Sequence, residues 1–216
     1  MLNLVCFPHY TCGGLLVDIL SDKFSPINPI SNGVESVAHS LGKIGDANTI
    51  LTEFDTTQFI NKLINLKLSD SEWVGTHCWP GNMNLDTFNQ VICVTTLTYR
   101  SRIYRWARAF YHYYLNSDPW QLSGMSLVDK QRETAKNYLI PFTLVPGAIN
   151  IEFSEIVENN LNFQKLVNGH DTTASLNRWK EINKFLYSGD FWQSVPVQRY
   201  YEAELETALC HPYVYE

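Results

Sequence analysis

The chain has 216 residues, 45% of them hydrophobic and 18% charged, and a formal net charge of −6. This length and composition predict one compact domain over residues 1–216, large enough to fold without a metal or a disulfide. The acidic balance argues against a general nucleic-acid binder, and no run approaches the ~20 apolar residues of a membrane span. Five cysteines (Cys6, Cys12, Cys78, Cys93 and Cys210) follow no metal-ligand spacing and read as reduced thiols. With an apolar opening too short for a signal peptide, they predict a cytoplasmic protein.

In chain order, residues 2–7 form a short apolar run ended by Pro8, a strand signal. Gly13 and Gly14 follow, and then an apolar segment that predicts a helix. Residues 24–33 are rich in Pro, Ser and Asn and predict a loop. Residues 54–66 predict a helix capped by Asp55 or Thr56, with Phe59, Ile60, Leu63 and Leu66 on one face. A short strand around residues 73–76 precedes "HCWPG". The strongest strand, residues 91–96, is a β-branched apolar run. It leads into "TYRSRIYRWARAFYHYYL", where Ile103, Trp106, Ala107, Phe110 and Tyr114 make an apolar helical face. A helix over 126–139 and a strand over 148–153 follow. The last helix is expected to start near Ser175, its cap, and to end before Gly189. Strands alternating with helices predict an α/β fold with a central parallel sheet covered by helices on both faces.

In such a sheet, ligands sit beyond the carboxyl ends of the strands, where helix N-termini offer N–H groups to anions. The loop "FPHYTCGG" has that position. Its glycines let the backbone approach a phosphate, or simply make a tight turn. Neither a G-x-x-x-x-G-K-[ST] loop nor G-x-G-x-x-G is present. Four arginines, Arg100, Arg102, Arg105 and Arg108, crowd into nine positions just past the best strand. Positive charge at a helix start opposes the helix dipole, and a bound anion would explain it. Arg100 and Arg102 are the expected anion ligands, whereas Arg105 and Arg108 fit a solvated helix face. His77, after a strand, is well placed for a general base, with His9 the other candidate and a core histidine the bland alternative. A Cys12–His or Cys78–His nucleophilic pair lacks an acidic residue to orient it, and no spacing supports a metal site.

Taken together, the order strand–"FPHYTCGGLL", strand–"GTHCWP", strand–"TYRSRIYRWARAFYHYY", "EFSEIVENN" and "NRWK" resembles the sulfotransferase family, which uses 3′-phosphoadenosine-5′-phosphosulfate (PAPS). The family's Tyr/Phe-Pro-Lys/Arg-Ser-Gly-Thr-Thr loop is similar to "FPHYTCGG", and its Thr-His-Leu-Pro-like base segment to "THCWP". Its Arg-rich turn and aromatic helix, its Tyr-Glu-Asp-Leu-Val-Glu-Asp segment and its Gly-Arg-Trp-Lys/Arg segment match in the same order. The departures are specific. His9 stands at the loop's Lys/Arg position, the loop is one residue longer, and the strand ends in Thr95 and Thr96 rather than Arg.

The resemblance implies a P-loop-like three-layer fold and sulfonate transfer from PAPS to a hydroxyl or amine of a small-molecule or glycan acceptor, with no metal. His77 would be the base. His9, Tyr10, Thr11, Cys12, Gly13 and Gly14 would hold the 5′-phosphosulfate, His9 also acting on the departing charge. Arg100, Ser101 and Arg102 are the nearest substitutes for the residues that grip the 3′-phosphate. A P-loop-like phosphotransferase and a sulfotransferase-like binding protein without catalysis are the alternatives.

Overall fold

The apolar runs become four parallel strands in the computed structural model, which describes residues 1–21, 73–76, 84–111, 124, 126, 129, 134, 135 and 138–189. The strands are β1 (Asn3–Cys6), β2 (Trp73–Thr76), β3 (Gln90–Thr95) and β4 (Ile149–Glu152), in the spatial order β2-β1-β3-β4. The helices are α1 (Gly13–Leu20), α2 (Tyr99–Tyr111), α3 (Phe153–Val157), α4 (Leu161–Leu166) and α5 (Thr173–Ile182). The predicted α/β class is therefore observed. The helix expected over 54–66 lies outside the described residues.

Register explains the composition of the strands. Val5 lies opposite Gly75 and Ile92, and Val94 opposite Ile151, so these residues share one face of the sheet. Val5, Ile92, Val94 and Ile151 join one apolar cluster with Leu16 and Ile19 of α1, Trp106 and Phe110 of α2, Phe153 and Ile156 of α3, and Trp179 of α5. Leu4, Cys6, Val74 and Cys93 point to the opposite face and have no exposed surface either. Both faces are covered, which is why these runs read as continuously apolar rather than alternating.

Local chemistry fixes the element ends. Asn160 caps α4, its side chain accepting from the amides of Asn162 and Phe163. The last helix opens at Thr173, two residues before the expected cap. Asp171 accepts from the Thr173 amide at 2.9 Å, and Ser175 is buried within the first turn. The glycines after β1 also fall inside a helix rather than before it, since α1 begins at Gly13.

The strand order makes a switch point. The chain leaves β1 towards β2 on one side, and leaves the adjacent β3 towards β4 on the other. A crevice between diverging connections is where open α/β sheets hold ligands. Here the switch point falls between loop 7–12 and the segment 96–98.

Candidate functional site

Loop 7–12 turns sharply. Tyr10 has φ of 65°, a left-handed conformation uncommon for a non-glycine residue. Thr11 stabilises the turn, donating to the Pro8 carbonyl from its hydroxyl at 2.7 Å and from its amide at 3.2 Å. The Tyr10 ring packs edge-on against Tyr138, 5.0 Å between centroids. Gly13 follows because the Phe7 ring fills the space in which a side chain would stand. No side chain caps α1, and its first turn carries no acidic residue. The four N-terminal amides of a helix have no partner within the helix, so this N-terminus presents donors and the positive end of its dipole at the switch point.

Arg105 and Arg108 of α2 define the loop from behind. Side chains on a helix lean towards its N-terminus. Because α2 starts at the carboxyl edge of the sheet, both arginines reach back to that edge. Arg105 Nε donates to the His9 carbonyl at 3.0 Å, and its Nη1 to the carbonyls of Ile140 at 3.2 Å and Tyr138 at 3.4 Å. Its guanidinium lies over the rings of Phe142 and Tyr138, 4.7 and 5.3 Å from their centroids. Arg108 Nη1 donates to the Thr11 carbonyl in a short hydrogen bond, and its Nε to Asn183 Oδ1 at 2.7 Å. Trp179 covers it at 4.3 Å. These contacts correct the reading of both residues as a solvated face. Arg105 is only 4% exposed, and burial lowers its pKa to about 9 and that of Arg108 to about 10, so both remain cationic at neutral pH.

Arg100 and Arg102, two positions apart, have opposite surroundings. Arg100 is 67% exposed, pairs with Glu158 and donates to the Tyr104 hydroxyl. It lines an open groove of about 700 Å³ with Tyr104, Lys180, Lys184 and Tyr187. Arg102 is 5% exposed, and its Nε is buried without a hydrogen-bond partner among the described residues. Burial lowers its pKa, against the pull of Glu152. Ser101 is fully buried and engaged within the fold: its hydroxyl donates to Ser154 Oγ at 3.0 Å and accepts from the Ser154 amide at 2.9 Å. It ties α2 to α3.

Glu152, at the carboxyl end of β4, was given no role by sequence reasoning. Its carboxylate accepts from the Thr95 hydroxyl at 2.9 Å, the Leu97 amide at 3.0 Å, the Thr98 amide at 3.3 Å and the Thr98 hydroxyl at 3.0 Å. Burial alone would raise its pKa, but hydrogen bonds, those from Thr95, Leu97 and Thr98 among them, outweigh it and hold the group below its ordinary value. The start of α2 thus carries an anion supplied by the chain itself, which answers part of the positive charge expected there.

His9 and the loop residues through Gly14 follow the carboxyl end of β1 at the switch point, whereas His77 lies outside the described residues. The strand before it, β2, ends at Thr76, whose carbonyl accepts from the Phe7 amide at 3.0 Å. Cys12 is buried and its thiol is pushed well above the ordinary range by that burial, with Arg108 pulling the other way, so it is no thiolate nucleophile at neutral pH. Among the described residues no group of three or more His, Cys, Asp or Glu is placed to hold a metal. Nor, among them, is any helix long and apolar enough to cross a membrane. No family model matches the chain, and no characterised protein or solved structure matches it either.

Proposed function

We propose that this chain is a divergent PAPS-dependent sulfotransferase whose loop 7–14 holds the 5′-phosphosulfate. Arg102 would take the 3′-phosphate and His77 the proton of the acceptor. The observation that supports this reading most is Arg102 itself, a guanidinium 5% exposed whose Nε has no hydrogen-bond partner among the described residues. A buried cation with an open hydrogen-bonding position is costly, and an anionic ligand at Arg102 Nε would lower that cost. The uncapped start of α1 at the switch point supports an anion in the loop as well.

In the reaction, His77 would accept the proton of an acceptor hydroxyl or amine as that atom attacks sulfur. The sulfur–oxygen bond to the 5′-phosphate breaks, and adenosine 3′,5′-bisphosphate leaves. The loop amides would answer charge developing on the departing oxygen. His9, in its protonated form, would help offset that charge. Arg100, paired with Glu158 at the surface, contributes less to this arrangement than Arg102.

Calorimetric titration with adenosine 3′,5′-bisphosphate, with ATP and Mg²⁺ as the comparison, tests the reading. Micromolar binding of the bisphosphate alone is expected. Binding of ATP alone would replace this reading by a phosphotransferase, and binding of neither would overturn both. With an acceptor in hand, His77→Ala should lower turnover by ~10²–10⁴-fold while the fold survives.

A further inference from the structure

The loop has no cationic side chain aimed into it by an obvious sequence motif, yet two cations stand immediately behind it. Arg105 and Arg108 lie three positions apart on α2, one bound to the His9 carbonyl and the other to the Thr11 carbonyl. In a trans peptide the carbonyl and the following N–H point in opposite directions. Drawing the Thr11 carbonyl towards α2 therefore turns the Cys12 amide away from α2. The same holds for the His9 carbonyl and the amide that follows it. Aromatic rings and backbone carbonyls surround both guanidinium groups, and among the described residues neither forms an ion pair with a carboxylate. Their charge is therefore left for the loop and whatever the loop holds.

We propose that Arg105 and Arg108 are the positioning residues of loop 7–14, fixing its carbonyls inward and its amides outward, and that their two charges fit the loop to a dianionic group. This rests on reading the loop as an anion site. It explains how a loop with His9 at the usual Lys/Arg position serves that role: positive charge arrives through the backbone from a neighbouring helix. The occupant it favours is a diphosphate or phosphosulfate rather than a carboxylate. Asn183 extends the arrangement, holding Arg108 Nε at 2.7 Å while donating to the Trp179 carbonyl at 2.8 Å. The last turn of α5 thereby sets the angle at which Arg108 meets the loop.

Amide hydrogen exchange on the full chain, compared with Arg105→Gln and Arg108→Gln, tests the positioning without any ligand. The amides of Thr11 and Leu16, which the loop holds on the Pro8 and Cys12 carbonyls, should exchange at least tenfold faster in both variants, while those of Ile92, Cys93 and Val94 stay as they were. Titration with inorganic pyrophosphate tests the charge. Affinity should fall at least tenfold in the Gln variants and less in Arg108→Lys, which keeps the charge and loses the fork. Unchanged exchange at the loop would overturn the positioning role. Faster exchange in a chain whose wild type binds no pyrophosphate would sustain the positioning and overturn the dianion role together with the anion-site reading. If the Gln variants lose cooperative melting, Arg105→Lys and Arg108→Lys carry the exchange comparison, with the same two outcomes.

Discussion

The ring of Phe7 occupies the volume that a β-carbon on Gly13 would need. Phe7 ends the run that forms β1, and Gly13 opens α1, so this contact joins the strand and helix on either side of the loop. Gly13→Ala forces the buried ring out of place, and overpacking of this kind costs about 1–3 kcal/mol. A fall in melting temperature of roughly 3–10 °C is expected. Phe7→Leu in the same chain should recover part of the loss, because the two sites couple directly. A Gly13→Ala variant that melts like the wild type would show that the ring has room to move.

Much of the framework was legible in the sequence. Val91, Ile92 and Val94 announce a strand because β-branched side chains suit a sheet buried on both faces, and Ile103, Trp106 and Phe110 announce α2 by their spacing. The roles of the arginines were not legible. From helical periodicity alone, Arg105 and Arg108 belong to a solvated face. What buries them is Tyr138, Phe142 and Trp179, together with loop carbonyls about a hundred residues earlier in the chain. Contacts between residues so distant in sequence leave no periodic trace. Glu152 escaped notice for a related reason: its four donors come from the end of β3, more than fifty residues away.

Arg100 and Arg102 give opposite expectations for stability and binding. Arg100→Ala removes an exposed pair with Glu158, and such pairs contribute ~0–1 kcal/mol. Arg102→Met replaces a buried and incompletely partnered cation with an apolar chain of similar length, which should stabilise the protein by about 1 kcal/mol or more. The same Arg102→Met change should weaken binding of adenosine 3′,5′-bisphosphate at least tenfold. Urea melts and calorimetry on the two variants decide the matter. A stabilised Arg102→Met protein with unaltered affinity would remove Arg102 from the ligand set.

Glu152 makes the start of α2 sensitive to acid. Its folded pKa lies below the ordinary carboxylate value, so its contribution is fully present above the unfolded pKa of about 4.3 and disappears as pH falls through the folded one. Glu152→Gln keeps the shape and loses the charge-assisted bonds, a loss of about 2 kcal/mol at pH 7. Denaturant melts from pH 3 to pH 8 should show a constant gap between wild type and variant above about pH 5, closing below pH 4. A gap independent of pH would assign the loss to packing rather than to charge.

Asp18 on α1 has the reverse dependence. Burial raises its pKa to about 6, with Arg178 pulling it down. The folded state therefore keeps a proton that the unfolded chain releases near pH 3.9. Between about pH 4 and pH 6 stability falls as pH rises, and above that window the penalty is constant. Asp18→Asn should raise stability at pH 7 by on the order of 1–2 kcal/mol and leave it unchanged near pH 3.5. Arg178→Gln, which removes the cation that favours the charged form, should deepen the penalty at pH 7 in the wild type and do little in Asp18→Asn. Melting curves of the four proteins at both pH values form a double-mutant cycle. A coupling at pH 7 that persists at pH 3.5 would mean that the two side chains interact by packing, and that Asp18 does not set the pH dependence.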